Sequence, residues 1–271
     1  MSLYTTLHTH ASSHTLAQAH RRSRSRVAQL ALLACAILAF STACGGGATN
    51  TTQTPHTSTP TTTVAQPVTG QQIISGPVTY VSLGASDAVG VGTQQPGSQG
   101  YVPLIASRLP AGSHLVNLGV SGIRLHEALS RELPLALTTS PSLITIWLVV
   151  NDFVGGVSYA NYTQDLDNLL KQLRAGTKAR IVMANIPDLT LLPAFRSLSS
   201  SQKANTLSTI RTWNNAIATI AARYNVTLVD LFSHESQLTA HPEYISGDGF
   251  HPSPAGYVQL ASYFWQGISG K

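Results

Sequence analysis

From residue 77 onward, apolar residues fall into two kinds of run that alternate along the chain. The shorter runs are almost wholly apolar, as in buried parallel strands covered by helices on both faces, and they predict strands at residues 78–83, 114–118, 143–150, 180–186 and 226–230. The longer runs are amphipathic and predict helices at residues 101–109, 125–133, 159–174, 201–224 and 254–268. This alternation predicts an α/β fold, a three-layer α/β/α sandwich.

The first 76 residues lack this alternation and form two segments of different composition. An arginine cluster, an apolar run over residues 27–40 and small residues before Cys44 are the three parts of a secretory signal. The apolar run is shorter than a membrane-spanning helix requires. Residues 45–76 are rich in Thr, Gln, Pro and Gly, which predicts a flexible linker. The predicted organisation is a signal segment at 1–44, a linker at 45–76 and one domain at 77–271.

Cys44 follows small residues and precedes three glycines, a pattern that resembles the lipobox of bacterial lipoproteins. In that pattern the cysteine is lipid-modified and becomes the new N-terminus, which implies an extracellular, surface-anchored bacterial protein. Ser41 departs from it, because an aliphatic residue is preferred there. Ordinary cleavage with Cys44 incidental, or an uncleaved anchor, are the alternatives. The lipid would then be the only contact with a membrane.

The net charge of +5 does not predict a nucleic-acid partner, because the excess lies in the signal segment. The residues from Cys44 onward keep 12 basic and 11 acidic side chains. The only other cysteine, Cys35, lies in the signal's apolar run, so no internal disulfide is expected after cleavage. The histidines show no metal-ligand spacing, and neither a metal nor a cofactor is predicted.

Ser86 follows the first predicted strand, at the end where parallel sheets collect their chemistry. A serine there is either a helix N-cap or a nucleophile, and a nucleophile needs a base oriented by a third group. Near the other end of the domain, Asp248 and His251 are three residues apart before a predicted helix. In a turn, that spacing lets the carboxylate reach Nδ1 while Nε2 points outward. The alternatives are a turn aspartate and a capping or surface histidine.

Gly119 and Asn151 follow the second and third predicted strands, at the same edge of the sheet. A glycine permits close backbone approach, and an asparagine side chain can donate from its amide. Acyl transfer needs such preorganised donors for the oxyanion of its transition state. A turn glycine and an Asx-turn or cap are the alternatives.

Four short blocks in this order resemble those of the SGNH (GDSL-like) hydrolases: Gly84-x-Ser86, Asn117-x-Gly119-x-Ser121-Gly122, Asn151-Asp152 and Asp248-x-x-His251. The resemblance implies that Ser86 is the nucleophile, His251 the general base and then acid, and Asp248 its orienting partner. It also implies that the Ser86 N–H, the Gly119 N–H and the Asn151 side chain form the oxyanion hole.

Two positions depart from the family pattern. Ala85 stands where an aspartate is usual, so the nucleophile turn is expected to be held differently. Val149 stands where a glycine is common, and its side chain either narrows the cleft or is buried in the strand.

The resemblance implies a secreted serine esterase that hydrolyses carboxylic esters through an acyl-serine intermediate, on a flavodoxin-like sandwich of about five parallel strands. Its partners would be small-molecule, glycan or lipid esters. We expect short acyl or O-acetylated glycan substrates because of the Val149 substitution and because no long apolar, lid-forming insertion is present. An O-acyltransferase acting on a sugar and a non-catalytic glycan-binding lipoprotein are the alternatives. The sequence does not fix the oligomeric state.

Overall fold

The computed structural model describes residues 74–270. The predicted signal segment with Cys44, and residues 45–73 of the predicted linker, lie outside the described residues. Five strands form one parallel sheet: β1 Thr79–Gly84, β2 His114–Asn117, β3 Leu143–Trp147, β4 Arg180–Ala184 and β5 Thr227–Val229. Their order, β2-β1-β3-β4-β5, is that of flavodoxin-like sheets. The predicted fold class is therefore confirmed.

Helices cover the sheet in two groups. Ten α-helices occur within residues 74–270: α1 Ser86–Val89, α2 Pro96–Gln99, α3 Tyr101–Ala106, α4 Leu125–Arg131, α5 Leu133–Thr138, α6 Val150–Val154, α7 Tyr159–Gly176, α8 Ser200–Arg223, α9 Glu235–Ala240 and α10 Pro254–Ser269. One group is α3 and α10, which pack on each other, and α10 also contacts β4 and β5. The other group comprises α4, α5, α7 and α8. None of the helices described is long and apolar enough to cross a membrane.

Local sequence explains where the longest helices begin. Ser199 and Gln202 form a capping box at the start of α8, which satisfies two otherwise unpaired N–H groups. Ser253 caps α10 by accepting from the Gly256 N–H, and Pro254 occupies the first turn, where no amide hydrogen is needed. The start of α10 is placed as predicted, directly after the segment that carries His251.

Several predicted elements differ from the structure; for example, the helix predicted at 101–109 ends at Ala106 and the strand predicted at 180–186 ends at Ala184. Strand β3 ends at Trp147 instead of residue 150, because the buried residues that follow leave the sheet and turn into α6. A continuous apolar run cannot distinguish a buried strand from buried coil. The helix predicted at 125–133 ends at Arg131, and α5 starts at Leu133 with Pro134 in its first turn. Strand β2 is mostly exposed, because it is an edge strand.

The sheet register places the ends of the central strands side by side. Gly84 at the end of β1 pairs with Trp147 at the end of β3, and Ser82 pairs with Asn117 on the other side. Chain segments that follow these three strands therefore meet at one edge of the sheet, where ligands bind in open α/β folds.

Candidate active site

Ser86 is the first residue of α1, two positions after the end of β1, and is 8% exposed. The N-cap of α1 is Ala85, and no side chain makes a capping hydrogen bond there. The Ser86 Oγ instead lies 2.9 Å from His251 Nε2. The hydroxyl is therefore not used as a helix cap, and it faces a base 165 positions away in the chain.

A small hairpin presents Asp248 and His251 to that serine. Ile245 and Pro252 form an antiparallel bridge at its base, and the Ser246 N–H donates to the His251 carbonyl over 2.8 Å. At its tip Gly249 has a φ of +76°, a conformation that side-chain-bearing residues rarely adopt. The spacing of three residues thus brings the carboxylate and the imidazole together within one turn.

The Asp248 carboxylate accepts four hydrogen bonds. Its Oδ1 accepts from the Ser246 hydroxyl at 2.8 Å and from the Phe250 and His251 N–H groups at 2.9 Å and 3.0 Å. Its Oδ2 lies 2.6 Å from His251 Nδ1. Partial burial acts to raise the pKa of this carboxyl, but these hydrogen bonds outweigh it and hold the pKa below the usual value. Asp248 is therefore ionised at neutral pH.

Gly119 lies against the nucleophile turn. A Cβ at this position would be 2.7 Å from the Ala88 Cβ and 3.3 Å from the Ala85 carbonyl oxygen, so only glycine fits. Its N–H donates to Asn117 Oδ1 at 3.1 Å, and the Asn117 amide in turn donates to the Ala88 carbonyl at 2.6 Å. The predicted donor is thus beside Ser86, and its hydrogen is held by Asn117.

Asn151 is the second residue of α6, just beyond the end of β3. Its side-chain amide donates to the Ile123 carbonyl at 3.0 Å, in the loop that continues from Gly119. A carboxamide carries two N–H donors, so one remains for another acceptor.

The side chain of Val149 is buried. Of the two alternatives for this position, a side chain that narrows the cleft and a side chain that is buried, the structure supports burial.

Asp152 follows Asn151 in the sequence and contacts the start of α4. It is 1% exposed, and its two oxygens lie 3.0 Å and 3.3 Å from the Leu125 nitrogen at the start of α4. Burial raises the pKa of this carboxyl to about 6. The N-terminus of a helix leaves N–H groups unpaired, and Asp152 satisfies one of them.

Glu132 holds the nucleophile turn from the opposite side, and sequence reasoning missed it. Its Oε2 accepts from the Gly84 N–H at 3.1 Å, and the residue is 1% exposed. The Gly84 carbonyl accepts from the Val120 N–H at 3.0 Å, which ties the turn to the segment that carries Gly119. Burial raises the pKa of Glu132 to about 8, so the carboxyl is mostly neutral at pH 7. A distant carboxyl group thus contacts the turn in which Ala85 replaces the usual aspartate.

Asp87 is the second acidic residue that sequence reasoning left without a role. It directly follows the nucleophile, and its side chain lines an apolar pocket. Burial raises the pKa of this carboxyl to about 6. Within residues 74–270, no group of three or more His, Cys, Asp or Glu side chains could hold a metal ion.

A family model described as the GDSL-like lipase/acylhydrolase family matches residues 82–259. Among solved structures, one described as TesA shares 26% identity with a TM-score of 0.57, over 71% of this chain and 98% of that one. A putative GDSL-like lipase from Parabacteroides merdae shares 21% sequence identity, over 74% of this chain and 100% of that one, with a TM-score of 0.61. An acetyl xylan esterase, AlAXEase, shares 17% sequence identity, over 70% of this chain and 99% of that one, with a TM-score of 0.56. No curated protein sequence matches significantly.

Proposed function

The chain belongs to the GDSL-like lipase/acylhydrolase family and is a carboxylic ester hydrolase, and we propose that it acts through an acyl-Ser86 intermediate. The observation that carries this proposal is the continuous chain of contacts from Ser86 Oγ to His251 Nε2, and from His251 Nδ1 to Asp248. A serine hydroxyl is a weak nucleophile at neutral pH, and a base within hydrogen-bond distance activates it. His251 is that base, and Asp248 orients it.

In the first half-reaction, Ser86 Oγ forms a bond to the ester carbonyl carbon while its proton moves to His251 Nε2. The tetrahedral intermediate then breaks its bond to the alcohol oxygen, and His251 returns the proton to that oxygen. In the second half-reaction, water attacks the acyl-serine and gives its proton to His251. Collapse releases the carboxylic acid and restores the Ser86 hydroxyl with the same proton.

Three donors would stabilise the oxyanion: the N–H groups of Ser86 and Gly119 and the side-chain amide of Asn151. The Ser86 N–H begins a helix and so has no intrahelical partner. The second amide hydrogen of Asn151 supplies another donor. The Gly119 N–H reaches the substrate oxygen only by sharing or exchanging its contact with Asn117. Oxyanion binding therefore requires a small movement of the Asn117 side chain.

The proposed substrates are esters of short acyl groups, including O-acetylated glycans, met outside the cell. The secretory signal predicted at residues 1–44 supports export. The acetyl xylan esterase with a similar fold supports an acetyl ester as the first substrate to test.

Replacement of Ser86 by Ala tests the proposal. Loss of the nucleophile should lower the rate on p-nitrophenyl acetate and on acetylated xylan by roughly 10⁴-fold or more. Ser107→Ala is the matched control, because Ser107 is exposed at the end of α3 and its hydroxyl contacts only the Leu104 carbonyl. Equal rates for wild type and Ser86→Ala would contradict the proposal. Transfer of acetyl groups to an added sugar in preference to water would identify an acyltransferase instead.

A further inference from the structure

An apolar pocket of about 100 Å³ lies beside the catalytic turn. Its walls come from the ends of three strands and from the C-terminal helix: Trp147 at the end of β3, Pro187 after β4, Leu231 after β5 and Leu260 in α10. For comparison, an engineered apolar cavity of about 150 Å³ takes up benzene. The pocket therefore has room for a short alkyl chain.

The pocket is lined by sequence neighbours of the proposed catalytic residues, not by those residues themselves. Asp87 directly follows the nucleophile, and Phe250 and Pro252 flank the base, and all three line the pocket. The nucleophile and the base are therefore each next in sequence to a residue that faces this space. A sugar ring in it would leave hydroxyl groups without partners against apolar walls, whereas an alkyl chain would not. The chemistry of the walls favours the acyl side of an ester.

Asp87 is the only carboxylate among the described residues that line this pocket. Its carboxyl group makes no side-chain hydrogen bond to another residue among those described in 74–270, and it has no ion-pair partner there. Burial raises its pKa to about 6, while the positive form of His251 acts to lower it. The charged or titratable groups that face it are His251, Asp248, Tyr101 and Tyr257. The pocket itself adds His234, Tyr244 and Tyr263.

We propose that this pocket receives the acyl chain of the substrate and that the Asp87 carboxylate restricts it to short chains. The inference rests on the proposed esterase function and adds its chain-length selectivity. An alkyl chain that enters the pocket displaces water from an unpaired carboxylate, and burial of such a charge is unfavourable. The proposal requires that an acetyl group, with a single methyl carbon beyond its carbonyl, avoids this penalty. Asp87 is thus a specificity-determining residue.

Asp87→Leu and Asp87→Asn test the inference on p-nitrophenyl esters of two, four, six and eight carbons. In wild type, kcat/KM should fall as the chain lengthens. In Asp87→Leu, the kcat/KM for the hexanoate ester divided by that for the acetate ester should rise at least about tenfold, chiefly through a lower KM for hexanoate. The reason is that one methylene group in an apolar pocket changes selectivity by about 10- to 200-fold. Asp87→Asn should give a smaller rise. The control is Asp167→Asn, an exposed carboxylate in α7 paired with Arg223, which should keep the wild-type ratio.

The pH dependence of the same ratio is a second readout. Groups that act on the shared ester centre affect the rates on all the esters alike and cancel from the ratio, whereas protonation of Asp87 does not. In wild type, the hexanoate-to-acetate ratio should therefore rise as pH falls from 8 to 5, and both Asp87 variants should lose this dependence. If Asp87→Leu does not fold, Asp87→Asn and the wild-type pH series still decide the question.

An unchanged chain-length profile in folded Asp87 variants, together with a flat wild-type ratio across pH, would overturn the inference. That result is separable from failure of the proposed function. If Ser86→Ala is inactive but the chain-length profile is the same in wild type and the Asp87 variants, only the pocket assignment is wrong. If Ser86→Ala keeps the wild-type rate, the proposed mechanism is wrong.

Discussion

Asp248 combines a structural and a proposed chemical role in one side chain. Its Oδ1 closes the hairpin through three hydrogen bonds, and its Oδ2 faces the imidazole. In Asp248→Asn the size is kept but the charge that favours the protonated imidazole is lost. We expect kcat on acetate esters to fall by roughly 10³- to 10⁴-fold with little change in KM. Steady-state kinetics would measure this.

The control for that variant is Glu243→Gln, which removes a carboxylate from the same loop, 2.8 Å from His241. It should keep the wild-type kcat. A kcat in Asp248→Asn within tenfold of wild type would show that the carboxylate is not needed for catalysis.

The lowered pKa of Asp248 also predicts a pH dependence of stability. The folded-state pKa lies below the ordinary value of 3.8, so the ionised form stabilises the fold above that value. This stabilisation is lost as pH falls through the lower, folded-state pKa. Asp248→Asn should therefore lower the free energy of unfolding more at pH 7 than at pH 3, and urea unfolding at the two values would measure it. An equal loss at both would contradict the shift.

At the scale of elements, Glu132 links the start of α5 to the end of β1. Glu132→Ala leaves the buried Gly84 N–H without an acceptor, which should lower the free energy of unfolding by about 1–3 kcal/mol. Because the turn also positions Ser86, kcat should fall as well. Glu132→Gln keeps an acceptor oxygen and should restore most of both losses. Urea unfolding and ester kinetics on the same preparations would test this.

The pH dependence of stability that Glu132 predicts is opposite in sign to that of Asp248. Its pKa is raised from 4.5 to about 8 by burial, so folding favours the neutral carboxyl. The contribution of Glu132 to the free energy of unfolding is fully present below pH 4.5 and is lost as pH rises through about 8. Glu132→Gln should flatten this decline in wild-type stability. A decline of the same size in both proteins would assign the effect to other groups.

The elements that the sequence predicts well are those whose signal is local. Largely apolar runs mark β1 and β4, and Ser253 with Pro254 marks the start of α10. The end of β3 was misplaced because Leu148 and Val149 are buried without being in a strand. The short helices were missed because a single turn of helix has too little periodicity to detect.

The same distinction applies to the candidate site. Asp248 and His251 meet within a four-residue segment, so their spacing alone predicts their contact. The contact with Ser86 spans 165 positions and followed from the family resemblance. Glu132 and Asp87 were not predicted, because only tertiary packing buries these carboxyl groups.

At the scale of the whole molecule, the predicted linker at residues 45–76 separates the sheet from the predicted lipid. If Cys44 is lipid-modified, the enzyme would be held at the membrane surface and would act on substrates near it.

Cys44→Ala tests this arrangement. If Cys44 carries the lipid, wild type should sediment with membranes and Cys44→Ala should be released to the soluble fraction, because one residue holds the whole anchor. Cys35→Ala is the matched control, since Cys35 lies in the segment predicted to be removed. Immunoblots of the two fractions would measure the distribution. Release of both wild type and Cys44→Ala to the soluble fraction would exclude lipidation at this position, whereas retention of Cys44→Ala with the membranes would show that the uncleaved apolar run holds the variant.

The distance along the chain between Ser86 and His251 has a consequence for biogenesis. Synthesis from the N-terminus produces the nucleophile long before its base, and the hairpin that carries the base is followed directly by α10. A partly exported or partly folded chain therefore contains a serine with no means of activation. We expect ester hydrolysis only once the segment that carries His251 has reached Ser86, so a turnover assay would report formation of this contact.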